Sequence, residues 1–439
     1  MNTALQKGDK KLLNAWAFYD WANSVYALVI SSSIFPLYYG ALFRIKGIEE
    51  IWIFGHLVRS ESLISYVTAI GFFIVALISP ILSGIADYMG NKKWFLKFFC
   101  YMGSLSCMGL FFFSLDHLVF SLLVYMLALI GFWGSLVFYN SYLPDIAYPE
   151  QQDKLSAKGY SLGYIGSVAL LVINLVMVLK FDLFGFPDKV VAMQFSFLLV
   201  GIWWLGFSQY TYYYLPNYKN GKKMHKDLFL NGYKELNKVW LQLKEIKSLR
   251  RYLGAFFVYS MAVQTVMIAA GYFGEKEVDW GDDDKRVMGL IVSILLIQII
   301  AVVGAYLTSK ASAKFGNIYT LIVINIMWIL ICIYAYFVVT PQEFYVAASF
   351  VGLVMGGIQS LSRSTYSKLL PETLDTTSFF SFYDVSEKIG IVIGMFIYGY
   401  ISDVTGKVQN AILFLVVFFI VGVLLLLRVP KKGIILSEK

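Results

Sequence analysis

The chain has 439 residues, of which 59% are apolar and only 15% are charged. Soluble domains average roughly 45–50% apolar and about 25% charged residues, so this composition excludes an ordinary soluble protein, whereas the length accommodates about twelve membrane-spanning helices. The net charge of +8 requires no nucleic-acid partner, because lysines and arginines that flank membrane spans and contact anionic headgroups account for it.

Long apolar segments recur along the chain and predict an all-α integral membrane protein with twelve transmembrane helices. We number them spans 1 to 12, and they cover residues 15–42, 62–86, 94–115, 117–142, 157–180, 191–214, 252–273, 287–309, 318–339, 344–369, 379–402 and 409–428. Lysines precede span 1, yet that span contains Asp20 and lacks a cleavage site of small residues. We therefore expect a retained first span and not a signal peptide.

Basic residues are distributed unevenly between alternate loops. When both termini lie on one side, that side carries 27 of the 36 Lys and Arg residues, and the opposite side carries nine. Loops rich in Lys and Arg stay in the cytoplasm, so both termini are expected there.

The middle of the chain contains a basic, polar linker, residues 216–251, that separates six spans from six. The expected division is an N-terminal bundle of residues 1–215, this linker, and a C-terminal bundle of residues 252–439. Apolar residues recur in the linker at a spacing of about 3.5, at Phe229, Tyr233, Leu236, Trp240 and Leu243. This pattern predicts a helix on the membrane surface, either as a structural strut or as a regulatory site.

Two pairs of short segments indicate that the second half repeats the first. Residues 84–91, after span 2, resemble residues 310–317, after span 8, at an offset of 226. Tyr142-Leu-Pro144, after span 4, matches Leu369-Leu-Pro371, after span 10, at an offset of 227. Nearly equal offsets predict two pseudo-symmetric six-helix bundles.

The loop between spans 2 and 3 contains Gly84, Asp87, Gly90 and Lys92 in a Gly-x-x-Asp-x-x-Gly-x-Lys pattern. It resembles the loop signature of the major facilitator superfamily. Glycines permit a tight turn and close helix approach, and Asp87 can bond helix N-terminal amides across the interface between the halves. We expect a gating role for these four residues; an ordinary charged turn that fixes topology is the alternative.

Three further segments carry a more specific resemblance. They read Trp16-Ala-Phe-Tyr19-Asp20-Trp21-Ala22-Asn23-Ser24, Gly356-Gly-Ile-Gln359-Ser-Leu-Ser362-Arg363-Ser364 and Phe379-Phe380-x-x-Tyr383-Asp384-x-x-Glu387-Lys388. They resemble the poorly characterised branch of the superfamily that includes the fungal vacuolar amino-acid effluxers of autophagy and bacterial relatives. The resemblance covers essentially the whole chain. One departure is in span 7, where Met261-Ala262 replaces an expected Asp-Gly pair.

This resemblance implies a uniporter or proton-coupled exporter, with amino acids as a candidate substrate class, in a bacterial inner membrane. The expected partners are a small solute, a coupling proton and membrane lipid, and the expected state is a monomer without a cofactor or metal. A receptor or scaffold that does not transport is the alternative. An enzyme is not expected, because no nucleophile, metal cluster or Walker loop is visible in the sequence.

Polar residues inside the spans mark the candidate site, because a charge in hydrocarbon persists only when it is paired, solvated or functional. The residues expected to bind substrate are Tyr19, Asn23, Asn140, Gln264, Gln359 and Arg363. Those expected to couple protons or form a charge network are Asp20, Asp384, Glu387 and Lys388.

Two interpretations of these charges remain open. In one, Arg363 binds a substrate carboxylate in a central cavity and an acid accepts a coupling proton. In the other, the charges are structural: they form an ion-pair network that closes the cytoplasmic side, or they lie at helix ends and extend to the membrane interface. Arg363 has three candidate anions, Asp20, Asp384 and Glu387, and Asp384 can pair with Lys388 one helical turn away.

Overall fold

The structure is a computed structural model that describes residues 5–53, 55–217 and 228–430. Within these ranges, twelve helices are long and apolar enough to cross a membrane, which confirms the predicted all-α fold. An even number of crossings brings residues 10 and 427 to one face of the protein, which we call the terminal face.

The first six spans are joined by short loops. Their helices are Lys10–Val25 with Ile34–Lys46 (span 1), Ser60–Met89 (span 2), Lys92–Gly109 (span 3), Leu118–Asn140 (span 4), Pro149–Leu179 (span 5) and Lys189–Tyr214 (span 6). A short helix, Leu143–Ile146, follows span 4, and 3₁₀ turns occur at Leu110–Phe112 and Phe181–Phe184. Strands Glu50–Ile53 and His56–Arg59 form an antiparallel hairpin between spans 1 and 2.

Span 1 differs from the single uninterrupted run that its apolar sequence predicts. A π-helical segment, Tyr26–Ser31, follows its first helix, and a second helix begins at Ile34. A π-helical segment widens the helix and misaligns the backbone hydrogen bonds, and such segments are frequent at functional sites.

A separate linker helix, Leu228–Glu245, precedes the spans of the second half. The six spans that follow are Lys247–Glu277 (span 7), Asp283–Phe315 (span 8), Asn317–Ala335 (span 9), Pro341–Leu369 (span 10), Thr376–Thr405 (span 11) and Val408–Leu427 (span 12). Residues 218–227 of the expected linker and the side chain of Phe229 lie outside the described residues.

Each half has its own apolar core. One is built around Trp16, Phe138 and Trp204, and the other around Trp328 and Phe419. Between the halves, span 2 packs against span 11 and span 5 packs against spans 8 and 10. Exchanging the two halves converts the first of these contacts into the contact of spans 5 and 8, as pseudo-twofold symmetry requires.

The linker helix packs on the protein, with a face rotated from the predicted stripe. Val239 and Leu243 are buried, whereas Tyr233 and Trp240 are exposed. The reason is a close helix approach: a Cβ on Gly84 would overlap the carbonyl oxygen of Gly232, so these glycines let the linker helix contact span 2.

Candidate functional site

Arg363 of span 10 is buried against the other half of the protein. Its guanidinium donates to a carboxylate oxygen of Asp20 at 3.3 Å and to the amide oxygen of Asn140 at 3.1 Å. It also donates to the hydroxyl and the carbonyl oxygen of Ser156, at 2.9 and 3.1 Å. Of the three candidate anions, Asp20 is therefore its partner, and a residue of the second half is held entirely by the first.

The surroundings of this ion pair are aromatic and tightly packed. The guanidinium carbon lies 4.8 Å from the Trp16 ring centre and 4.2 Å from that of Tyr160, and Tyr139 donates to Asp20 at 2.8 Å. A Cβ on Gly159 would overlap the Asp20 carboxylate. A buried pair costs little only when its other hydrogen bonds are satisfied, and these neighbours satisfy them.

Asp87, at the end of span 2, caps a helix of the other half. Its two carboxylate oxygens accept from the backbone N–H groups of Thr377 and Ser378, at 3.2 and 2.6 Å. These groups belong to the first turn of span 11 and have no acceptor within that helix. The N-cap residue, Asp375, makes no such bond, so Asp87 occupies the capping role.

Lys92 links the start of span 3 to both halves. Its ammonium pairs with Asp145, donates to the Ser141 carbonyl at 3.1 Å, and donates to the Thr376 hydroxyl across the interface at 3.0 Å. The four residues expected to gate thus have distinct positions: Gly90 ends span 2 with φ +64°, Gly84 contacts the linker helix, and Asp87 and Lys92 bond to span 11.

Asp153 makes the corresponding contact on the opposite side of the pseudo-twofold axis. This residue of span 5 accepts from Lys368 at 2.6 Å, from Asn317 at 2.9 Å and from Ser312 at 3.1 Å. Ser312 and Asn317 belong to residues 310–317, the segment that repeats residues 84–91. In this segment Ala313 stands at the position equivalent to Asp87. In this repeat the acidic residue therefore belongs to the first half, as Asp153, and not to position 313. A bond across the interface is still present.

The linker helix adds a further contact beside the Asp87 cap. Lys238 donates to Asp375 at 2.8 Å and to Glu235 at 2.8 Å, and these bonds raise the pKa of the Lys238 ammonium. The Trp240 ring lies 5.4 Å from that of Phe382. The linker helix thus packs on the first turns of span 11. Asp87 of span 2 caps the same helix.

A small pocket lies between the halves, beyond the Arg363 ion pair. Its wall is formed by Tyr160, Phe256, Tyr259, Ser260, Val263, Gln264, Ile358, Gln359, Ser362, Tyr383 and Glu387. Its volume of about 20 Å³ holds about one water molecule. Tyr164 of span 5 donates to Gln359 across the interface at 2.6 Å. The bundles therefore meet at this pocket, and a larger solute requires them to separate.

Span 11 supplies a cluster of three charges beside the pocket. Lys388 is buried, pairs with Asp384, and lies 4.2 Å from the ring centre of Trp133 in the other half. Glu387 accepts from Gln264 at 2.7 Å and lies 3.5 Å from Lys388. Two carboxylates thus face one ammonium, and of these charged groups Glu387 is the one in the pocket wall.

The expected substrate ligands separate into three groups. Gln264 and Gln359 line the pocket. Arg363 and Asn140 bond to each other in the ion-pair network. Tyr19 and Asn23 are buried within the first bundle and are absent from the described pocket wall. The departure at Met261 is a packing feature, because its side chain lies against Gly394 of span 11.

Several residues of the site carried no assigned role in the sequence. Tyr160, Tyr259 and Tyr383 belong to the pocket wall. Tyrosine is also common at membrane interfaces, so its abundance in the sequence does not distinguish pocket residues from interface residues. Asp145 and Asp153 had a usable signal, because each lies close to Tyr142-Leu-Pro144, the segment that repeats in the second half.

Replacing Asp87 with Ala is expected to loosen the first turn of span 11. Loss of an N-cap costs about 0.5–2 kcal/mol, which corresponds to a roughly 3- to 30-fold change in an opening equilibrium. Hydrogen–deuterium exchange of residues 376–379 should accelerate by that factor. The first turn of span 10 is the internal control, because Thr340 and Glu343 cap it within its own sequence. Unchanged exchange at 376–379 would refute the cap.

The comparisons with known proteins agree with this architecture. Residues 8–434 match the family model described as "Vacuole effluxer Atg22 like". An uncharacterized MFS-type transporter, YxiO of Bacillus subtilis, is 31% identical over 435 residues, covering 98% of this chain and 97% of the relative. Autophagy-related protein 22-2 of Aspergillus niger is 24% identical over 493 residues, covering 91% and 80%.

Solved structures of major facilitator transporters have the same fold. The proton:xylose symporter XylE superposes with a TM-score of 0.69 at 11% identity, covering 97% of this chain and 96% of that one. The fucose:proton symporter FucP of E. coli gives 0.67 at 15% identity, covering 96% and 98%. Such low identities establish the fold alone. The family match over nearly the whole chain shows more: the protein belongs to the Atg22-like family of major facilitator transporters.

Proposed function

We propose that this transporter exports a small zwitterionic solute, with amino acids as the substrate class, by alternating access in exchange for protons. The observation that carries the proposal is the pocket between the two bundles, whose wall takes Tyr160 from the first half and Gln264, Gln359 and Glu387 from the second. Transporters of this architecture bind their substrates at such an interface, near the membrane midplane.

The chemistry of the pocket supports an ammonium-bearing solute. Glu387 offers a carboxylate at the wall, which also contains Tyr160, Tyr259 and Tyr383. Carboxylates and aromatic faces both attract ammonium groups. The phenol hydroxyls and the side-chain amides of Gln264 and Gln359 provide donors for a carboxylate. These groups together match the two ends of an amino acid.

The geometry favours Arg363 as a lock and not as a substrate ligand. Its guanidinium is occupied by Asp20, Asn140 and Ser156, and it lies outside the pocket wall. These bonds, with those of Asp87 and Asp153, join the halves near the terminal face. They support a state that is closed on that side, and all of them break when the halves part there.

The movements of solute and proton are coupled because both bind to one carboxylate. Asp20 and Asp384 are each paired with a buried cation and lie outside the pocket wall, whereas Glu387, 3.5 Å from Lys388, belongs to that wall. One carboxylate that binds either a proton or an ammonium group releases one when it takes the other. This competition couples inward proton movement to solute export.

Neutralising Glu387 tests the assignment. Glu387→Gln should weaken the binding of an amino acid by about 10- to 150-fold, the range for a charge-assisted hydrogen bond of about 1.5–3 kcal/mol, and should abolish proton-driven flux. The measurement is transport of labelled amino acids in proteoliposomes under an imposed pH gradient. Glu372→Gln is the matched control, because Glu372 is exposed on the loop after span 10. Proton-driven flux at the control level in Glu387→Gln would overturn the proposal.

We also place the protein in the bacterial inner membrane as a monomer. Both termini lie in the cytoplasm in this proposal, as the distribution of basic residues favours. A receptor or scaffold that does not transport does not need a pocket that opens first to one side of the membrane and then to the other. Absence of flux for every solute that raises the thermal stability of the purified protein would favour that alternative.

A further inference from the structure

The outer surface of the first bundle carries a groove that plays no part in the proposed transport path. It runs between spans 3 and 6 and is lined by Tyr101, Met108, Ile202, Leu205, Gly206 and Gln209. Its volume is about 490 Å³, against about 20 Å³ for the pocket between the halves. A Cβ on Gly206 would meet no neighbouring atom within 4 Å, so the groove is open there.

The wall of the groove is uncharged, but two lysines precede it on span 3. Lys93 and Lys97 precede Tyr101 on span 3 at intervals of four residues, so all three lie on one helix face. The ammonium of Lys97 lies 5.3 Å from the ring centre of Tyr212. One turn deeper, the hydroxyl of Tyr101 donates to Gln209 at 3.2 Å. Met108 and Ile202 line the apolar end.

These positions correspond to the layers of a membrane leaflet. Span 3 begins at Lys92 on the terminal face. With a rise of about 1.5 Å per residue, Lys97 lies within about 8 Å of that end and Tyr101 about 14 Å from it. Among the described residues, no carboxylate forms an ion pair with either Lys93 or Lys97. Positive charge therefore lies beside the groove on the side of the terminal face, and the groove itself is mainly apolar.

We propose that this groove binds one anionic glycerophospholipid of the leaflet on the terminal face. Lys97 contacts its phosphate-bearing headgroup, the Tyr101–Gln209 pair lies at the level of the ester groups, and an acyl chain lies along Gly206 and Ile202. Charge complementarity selects an anionic lipid over a neutral one, because basic residues between helices at this depth attract anionic headgroups. A second copy of the chain would place its own lysines against these.

Native mass spectrometry of the full-length protein, titrated with phosphatidylglycerol or phosphatidylcholine, tests the proposal. We expect one retained phosphatidylglycerol and no retained phosphatidylcholine. Lys97→Gln should weaken retention about fivefold, the effect of removing one basic residue near a headgroup, and Lys97→Arg should preserve it. Gly206→Phe fills the groove and should abolish retention.

The matched control is Gly254→Phe, because Gly254 of span 7 is also free of neighbours within 4 Å but lies outside the groove. It should retain the lipid as the wild type does. Equal retention of the two lipids, or wild-type retention in both Lys97→Gln and Gly206→Phe, would overturn the assignment. A dimer that Gly206→Phe dissolves would identify a second copy as the occupant and would also overturn it.

Discussion

Arg363→Gln is expected to abolish transport while the protein still inserts in the membrane. The substitution leaves the buried Asp20 carboxylate without its cation, and removing one partner of a buried ion pair costs about 3–5 kcal/mol. Because Asp20 and Arg363 lie in opposite halves, that cost falls on the state closed at the terminal face. Its population relative to the open state should fall by about 150- to 5,000-fold. Flux in proteoliposomes measures the loss, and size-exclusion chromatography monitors folding.

The double variant Asp20→Asn/Arg363→Gln distinguishes a lock from a substrate ligand. It contains no unpaired charge, so the closed state should regain much of its stability and the flux should recover in part. If Arg363 instead binds the carboxylate of the substrate, the double variant stays as inactive as Arg363→Gln. That outcome would return Arg363 to the substrate site.

Asp153→Asn is expected to weaken the same closed state. Lys368 and Asp153 are both 9% exposed as side chains, so the variant leaves an ammonium group nearly buried and without its carboxylate. Charge-assisted hydrogen bonds contribute about 1.5–3 kcal/mol, which corresponds to a roughly 10- to 150-fold loss of the closed state. Turnover should fall accordingly in Asp153→Asn and in Lys368→Met.

A double-mutant cycle isolates this contact. The combined variant Asp153→Asn/Lys368→Met should be less impaired than the sum of the single variants, because the two residues interact directly. Asp116→Asn is the control, since Asp116 pairs with Lys46 on the opposite face and its side chain is 74% exposed. It should transport at the wild-type rate. Additive effects at 153 and 368 would contradict a shared role in closing the terminal face.

The sequence predicts the membrane architecture well, because hydrophobicity and repetition are local properties. Twelve apolar runs correspond to twelve spans, and the segments at 84–91 and 310–317, expected after spans 2 and 8, contain the last turns of those two helices. The pairing of Asp384 with Lys388 was also predictable, since four-residue spacing on one helix fixes it. The break in span 1 was missed, although the polar run Ser31-Ser32-Ser33 marks where the π-helical segment ends.

The candidate site was predictable in membership and not in arrangement. Asp20 and Arg363 stood out as charges within spans, but three acids were possible partners, and only packing between the halves selects one. The linker helix shows the same limit. Residues spaced by three or four define a stripe, yet the face that Gly84 draws toward the protein is set by a contact with a distant part of the chain.

Accessibility of position 359 from the terminal side tests alternating access most directly. The variant Gln359→Cys, made without the three native cysteines and reconstituted in one orientation, is labelled with an impermeant maleimide in the wild-type and Arg363→Gln backgrounds. Labelling should be slow in the first background and about 150- to 5,000-fold faster in the second, while Asn23→Cys, outside the pocket wall, stays unlabelled in both. Equal labelling of position 359 in the two backgrounds would contradict the claim that the Asp20–Arg363 pair closes this pocket.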